Sequence, residues 1–123
     1  PPRTTLQVRQ CLHTAILVSD LAQAEHFYST VLGLPKVERA LRFPGHWYEV
    51  GGYQLHVMVG AVPALENPEK WGRNRHIAFG VVDLAVAQAE LIAHGYPVQP
   101  SASGRAALFT QDPDGNVIEL SQI

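Results

Sequence analysis

The chain has 123 residues, 46% of them hydrophobic and 16% charged, with a formal net charge of -2. That length fits one compact domain, and that composition excludes a disordered chain. The charge gives no reason to expect nucleic acid or an anionic membrane as a partner, and no apolar run reaches the roughly 18–20 residues of a membrane span.

A single cysteine, Cys11, excludes an internal disulfide and makes a reducing, cytoplasmic setting the expectation. Residues 11–18 are short, branched and apolar, and read as a strand covered on both faces. His13, Ala15 and Leu17 share one face; Thr14, Ile16 and Val18 share the other. A helix follows. Ser19 or Asp20 caps it, Leu21, Ala24, Tyr28, Val31 and Leu32 form its apolar stripe, Gly33 ends it, and Pro35 blocks continuation. Strands are expected at 36–43, 46–51 and 53–60, with Gly51-Gly52 as a turn. Residues 61–75 carry two prolines and read as a linker, long enough to swing over a site or reach a neighbouring subunit.

The second half repeats the first. Residues 76–81 place His76, Ala78 and Gly80 on one strand face, and Ile77, Phe79 and Val81 on the other. In both copies the histidine shares its face with a small residue, which leaves room beside it. Asp83 caps a helix whose stripe is Leu84, Ala87, Leu91 and Ile92, and Gly95 with Pro97 stops it. Strands at 97–100, 106–111 and 116–122 complete the set, with Asp112-Pro113-Asp114-Gly115 turning into the last. One domain thus divides into module one (11–60), the linker (61–75) and module two (76–122), each β-α-β-β-β. A module of about 60 residues is marginal alone, so the two are expected to share a core or surface.

The repeat has a fixed offset. His13 and His76 are 63 positions apart, and so are His56 and Glu119. His13-Thr-Ala15-Ile-Leu-Val18-Ser-Asp20-Leu21-Ala22 recurs as His76-Ile-Ala78-Phe-Gly-Val81-Val-Asp83-Leu84-Ala85, and Gly52-Tyr-Gln-Leu-His56-Val as Gly115-Asn-Val-Ile-Glu119-Leu. If two like modules pack about a pseudo-twofold axis, equivalent inward residues meet near it. Imidazole and carboxylate are common ligands for borderline divalent metals. His56 shares its face with Gln54 and Met58, and Glu119 with Val117 and Ser121. A carboxylate on an otherwise apolar strand is costly unless paired or metal-bound. His13, His56, His76 and Glu119 are therefore the expected metal set. Arg73, Arg75 and Arg105 are candidates to hold a substrate anion, and Trp47 with Tyr48 to floor the cleft. His26 and His94 are expected on solvated helix surfaces, His46 in a loop, and Cys11 as an inert strand thiol.

These residues resemble the vicinal oxygen chelate superfamily, which includes glyoxalase I, bleomycin-resistance proteins, extradiol dioxygenases and fosfomycin-modifying thiol transferases. The resemblance runs from residue 11 to 122. It is carried by His13 through Leu21, Phe27-Tyr28 with Val31-Leu32-Gly33, His76 through Leu84, and Asp112-Pro113-Asp114-Gly115-Asn116 with Ile118-Glu119. It implies an α+β fold of two tandem βαβββ modules, a pseudo-twofold pair of curled mixed sheets around a cleft. It implies ligands from the first and last strand of each module, here His13, His56, His76 and Glu119. They would hold one divalent metal ion (zinc, nickel, manganese or iron) that chelates a small oxygen-rich substrate. It also implies a homodimer, with each site built in one chain or shared between two.

One departure stands out. Glyoxalase I enzymes carry a carboxylate where this chain has His56, and a metal-bound glutamate moves the substrate proton. Here only Glu119 of the four could do so. His13, His76 and Glu119 alone make a two-histidine, one-carboxylate set with open positions for substrate. His56 is then a fourth ligand or an unligated acid/base. Glu119 and His56 are the expected catalytic pair. A lyase or isomerase of glyoxalase type is the leading expectation. An extradiol-type dioxygenase, a thiol transferase and a non-catalytic ligand-sequestering resistance protein are the alternatives.

Overall fold

The computed structural model describes residues 5–38 and 42–123. Among the described residues, eight strands form two four-stranded mixed sheets. The first holds β1 (His13–Val18), β2 (Lys36–Val37), β3 (Gly45–Val50) and β4 (Tyr53–Val59), in the order β1-β4-β3-β2. The second holds β5 (His76–Val81), β6 (Val98–Pro100), β7 (Ala107–Gln111) and β8 (Val117–Gln122), in the order β5-β8-β7-β6. In each sheet the first strand pairs parallel with the last, and the remaining pairs are antiparallel. The 63-residue repeat of the sequence is thus a repeat of topology. No helix among the described residues is long and apolar enough to cross a membrane.

Each module has one helical segment among the described residues. Asp20 caps α1 (Leu21–Glu25) by accepting from the Gln23 amide, and Asp83 caps α2 (Leu84–Ala93) by accepting from the Val86 amide. Gly33 and Gly95 follow the helix ends at φ +70 and +82, where an L side chain would be strained. The single helix expected at 21–32 is instead a short α-helix that widens into a π-helical segment over His26–Val31. The widened turn carries consecutive aromatics, Phe27 and Tyr28, which are both fully buried.

The strands follow the expected parity. Val18, Leu55, Val57, Leu108, Ile118 and Leu120 face the helical side and pack with Ala24, Phe27, Tyr28 and Leu91 in one core. His13, Ala15, Leu17, His76, Ala78 and Gly80 lie on the opposite, exposed faces of β1 and β5. Most strand boundaries differ from expectation by one or two residues. The strand expected at 36–43 spans only Lys36–Val37 among the described residues, and 39–41 lie outside them. Cys11 is an exposed residue that precedes β1. His46, expected in a loop, lies in β3 with Nε2 3.1 Å from Glu25 Oε2. The linker contains a turn of 3₁₀ helix at Trp71–Arg73.

A buried polar hub joins the modules. Tyr28 Oη donates to Asp112 Oδ2 at 2.7 Å, and Asp112 also accepts from the Asp114 and Asn116 amides and from Asn116 Nδ2. Asn116 Nδ2 donates to the Leu17 carbonyl, and the Ser19 amide donates to Asp114. The turn before β8 is thereby fastened to β1 and to the first helical segment. Burial, reinforced by the Asp112 charge, pushes the Tyr28 hydroxyl well above the ordinary phenol range. Burial also raises the Asp112 carboxyl, against the opposing hydrogen bonds from Asn116, Tyr28 and Asp114.

Tyr28 ionises less readily folded than unfolded. Its contribution to stability is therefore complete below pH ~10 and is lost as pH rises through the folded value. Tyr28→Phe is expected to lose about 1.5–3 kcal/mol at neutral pH, the worth of a hydrogen bond to a charged acceptor. It should also decline less steeply than wild type above pH ~10. Urea melts at pH 7 and at pH 10.5 measure both effects; parallel pH profiles for the two proteins would refute the assignment.

Candidate metal centre

The parallel pairing fixes where the candidate ligands stand. In the first sheet His13 is opposite Gln54 and Ala15 is opposite His56. In the second His76 is opposite Val117 and Ala78 is opposite Glu119. The antiparallel pairing adds an aromatic on the far side, with Trp47 opposite His56 and Phe109 opposite Glu119. Each sheet thus carries a row of alanine, potential ligand and aromatic: Ala15-His56-Trp47 and Ala78-Glu119-Phe109.

The four candidates form two pairs. His13 and His56 stack face to face, centroids 4.1 Å apart and planes 15° off parallel. His56 also stacks on Trp47 at 3.7 Å and 8°. His56 Nε2 lies 2.9 Å from Gln54 Oε1, and Gln54 Nε2 donates to Glu49 Oε1 at 3.2 Å. In the other sheet His76 Nε2 is 3.1 Å from Glu119 Oε1, and His76 Nδ1 is 2.8 Å from the Asn74 carbonyl. Glu119 Oε2 accepts from Ser121 Oγ at 2.9 Å and from Arg105 at 3.4 Å. Among the described residues no three His, Cys, Asp or Glu side chains lie close enough to hold one metal ion within the chain. Within the chain the four side chains expected to gather stand instead as two separate pairs.

The His76–Glu119 pair joins an imidazole nitrogen to a carboxylate, the donor types that suit a divalent cation. A carbonyl oxygen only accepts, so His76 Nδ1 carries a proton and donates it to Asn74. Nε2 then presents a lone pair toward a carboxylate unless the ring is charged. A divalent cation held by Nε2 and Oε1, which are 3.1 Å apart, would remove that repulsion. The Asn74 contact is the outer partner that fixes tautomer and ring orientation for a metal-binding histidine. Asn74 is itself pinned, donating from Nδ2 to the Asn67 and Trp71 carbonyls and accepting from the Asn67 amide. Phe109 packs edge-on against the His76 ring. Glu119 is only 6% exposed, yet it has a cationic neighbour in Arg105 and a hydroxyl donor in Ser121.

The substrate candidates separate. Arg105 reaches Glu119 while its own side chain is 68% exposed, and it lies on a loop where Ser103 Oγ accepts from its backbone amide and its Nε. Arg75 borders a cavity of about 450 Å³ at the seam between β1, β5, β8 and the linker. His76 also borders that cavity; His13, His56 and Glu119 do not. Trp47 is a stacking partner of His56. His26 donates to or accepts from Tyr96 Oη at 2.9 Å on the exposed surface, and His94 lies edge-on to it, away from both pairs. The roles of Gln54, Asn74, Ser121 and Phe109 were not expected. Parity placed Gln54 and Ser121 on the ligand faces, but no sequence signal assigned them partners.

Known proteins share this architecture. Residues 10–120 match the model of the Glyoxalase/Bleomycin resistance protein/Dioxygenase superfamily. The uncharacterised protein YaeR of Escherichia coli is 32% identical, covering 94% of this chain and 97% of its own length. The lactoylglutathione lyase of Haemophilus influenzae is 31% identical, covering 90% of each chain. The crystal structure of a glyoxalase family protein from Bacillus anthracis superposes with a TM-score of 0.76 at 22% identity, covering 97% of this chain and 98% of its own. With its two βαβββ sheets and a family match over nearly all its length, the chain belongs to the Glyoxalase/Bleomycin resistance protein/Dioxygenase superfamily.

Proposed function

We propose that this protein is a divalent-metal-dependent lyase or isomerase of glyoxalase type, working as a homodimer. In this reading His13 and His56 of one chain face His76 and Glu119 of a second across a shared cleft. The observation that carries the metal is the His76–Glu119 pair, with Nδ1 committed to Asn74 and Nε2 opposed to a carboxylate. The observation that favours two chains is the separation of the candidates into half-sites on exposed strand faces. Leu17 and Val59, on the two parallel-paired strands of the first sheet, are 39% and 51% exposed and suit burial against a second copy.

A bound divalent cation would polarise two oxygens of a small substrate and stabilise the anion formed when it loses a proton. The chain's own residues do the rest. Glu119 is the carboxylate that takes the proton, with Oε1 beside His76 and Oε2 held by Ser121. Arg105 offsets the Glu119 charge, and its exposure leaves it free to turn to an anionic group of the substrate. Zinc, nickel, manganese and iron all suit a nitrogen and oxygen donor set. The 31% identity to a lactoylglutathione lyase supports the lyase reading over an oxygen-dependent one.

Glu119→Gln is expected to weaken metal affinity by at least about tenfold and abolish turnover of a hemithioacetal. Metal content measured after purification without chelator checks this; unchanged content removes Glu119 from the centre. Arg105→Gln should raise KM more than it lowers kcat, because the side chain binds rather than reacts. Equal KM for the two proteins would exclude Arg105 from substrate binding.

A mixing experiment separates a shared centre from one built in a single chain. His13→Ala and Glu119→Gln homodimers are each expected to be inactive. Refolded together one to one, they form heterodimers with one intact centre and one doubly damaged centre, restoring about a quarter of wild-type activity. No recovery despite heterodimer formation would refute the two-chain arrangement. Catechol cleavage with iron would instead support the dioxygenase reading, and tight ligand binding without metal the sequestering one.

A further inference from the structure

We infer that His56 is a positioning residue rather than a metal ligand: clamped between Trp47 and His13, it holds the His13 ring in the plane from which His13 reaches the cation. The inference rests on the shared metal centre proposed above and reduces its first half-site to one ligand.

Three observations carry it. The first is the hydrogen-bond chain through Gln54. Glu49 accepts from Gln54 Nε2, which fixes the amide with Oε1 toward His56. A carbonyl oxygen accepts, so His56 Nε2 must carry a proton and has no lone pair to offer a metal. The second is ring geometry. A nitrogen lone pair lies in the plane of its imidazole. The His13 and His56 planes are 15° from parallel with centroids 4.1 Å apart, so they do not converge within the ~2.0–2.1 Å of a metal–nitrogen bond. A cation in the plane of His13 lies out of the plane of His56, whichever His56 nitrogen is considered.

The third is what orients His13. Among the described residues no hydrogen bond reaches the His13 ring, whereas His76 has its Asn74 carbonyl. The outer partner that orients a metal-binding histidine is a stacked ring in the first half-site and a backbone carbonyl in the second. The Trp47-His56-His13 stack runs from β3 through β4 to β1, and His56 is only 7% exposed within it. The centre that remains is His13, His76 and Glu119, two imidazoles and one carboxylate, with positions left open for two substrate oxygens.

The test separates a ring from a ligand. His56→Phe keeps a flat ring and removes both nitrogens. It is expected to keep wild-type cobalt(II) stoichiometry, affinity and visible absorption. His56→Ala removes the ring; its cobalt affinity should fall about tenfold and its absorption shift, as expected of a lost orienting partner. Restoration by Phe of what Ala loses supports stacking. A His56→Phe protein that loses cobalt as severely as His13→Ala overturns the inference.

A second measurement needs no variant at His56. Long-range nitrogen–proton NMR of the zinc-loaded wild type should give metal-bound nitrogens for two of the six histidines, His13 and His76, with His56 as its Nε2–H tautomer. Metal-bound shifts on His56 overturn the inference while leaving the shared centre intact. Undiminished metal binding by both His13→Ala and Glu119→Gln would instead refute the centre itself, and this inference with it.

Discussion

The parallel pairing of each module's first strand with its last governs what this chain can do. It brings residues more than forty positions apart to adjacent places, so that His13 stands beside His56 and His76 beside Glu119. Side-chain alternation then sends these residues to one face while Leu55, Val57, Ile118 and Leu120 face the helices. A one-residue slip in either pairing would bury the imidazoles in the core and expose those apolar side chains. The same register therefore sets both the core and the candidate centre.

The two half-sites differ although their backbones repeat. In the second, charge dominates: a carboxylate with little solvent access is held by Ser121 and Arg105 beside a histidine whose tautomer is set by a backbone carbonyl. In the first, ring stacking dominates, and the hydrogen bond to Gln54 is made by His56, the counterpart of Glu119, rather than by His13, the counterpart of His76. Duplication supplied equivalent positions, and divergence at His56 and Glu119 gave them different chemistry. The Asp112 hub matters to both. It ties the turn before β8 to Tyr28 through a buried hydrogen bond and to the end of β1 through an exposed one, which fastens the two sheets together.

Much of this was legible in the residues. The 63-residue offset revealed two modules, Asp20 and Asp83 marked the helix starts, and the alternation of His13-Ala15-Leu17 against Thr14-Ile16-Val18 gave the correct faces. Local chemistry failed where neighbours decide. His46 followed Pro44-Gly45 and read as a loop, yet pairing with Val57 made it a strand residue. The helix over 21–32 read as regular, but its second half is π-helical, with Phe27 and Tyr28 both in the core.

The sequence by itself determined the duplication and the four chemically suitable side chains, because both follow from residue type and periodicity, and its motifs carried the resemblance that implied the fold family. Only tertiary structure decided how those side chains are grouped. Strand register pairs them two by two, and ring orientation distinguishes a histidine that can aim a lone pair outward from one locked in a stack. Such relations depend on angles and on the third strand, Trp47 and Phe109 among them, and spacing along a chain carries no information about either.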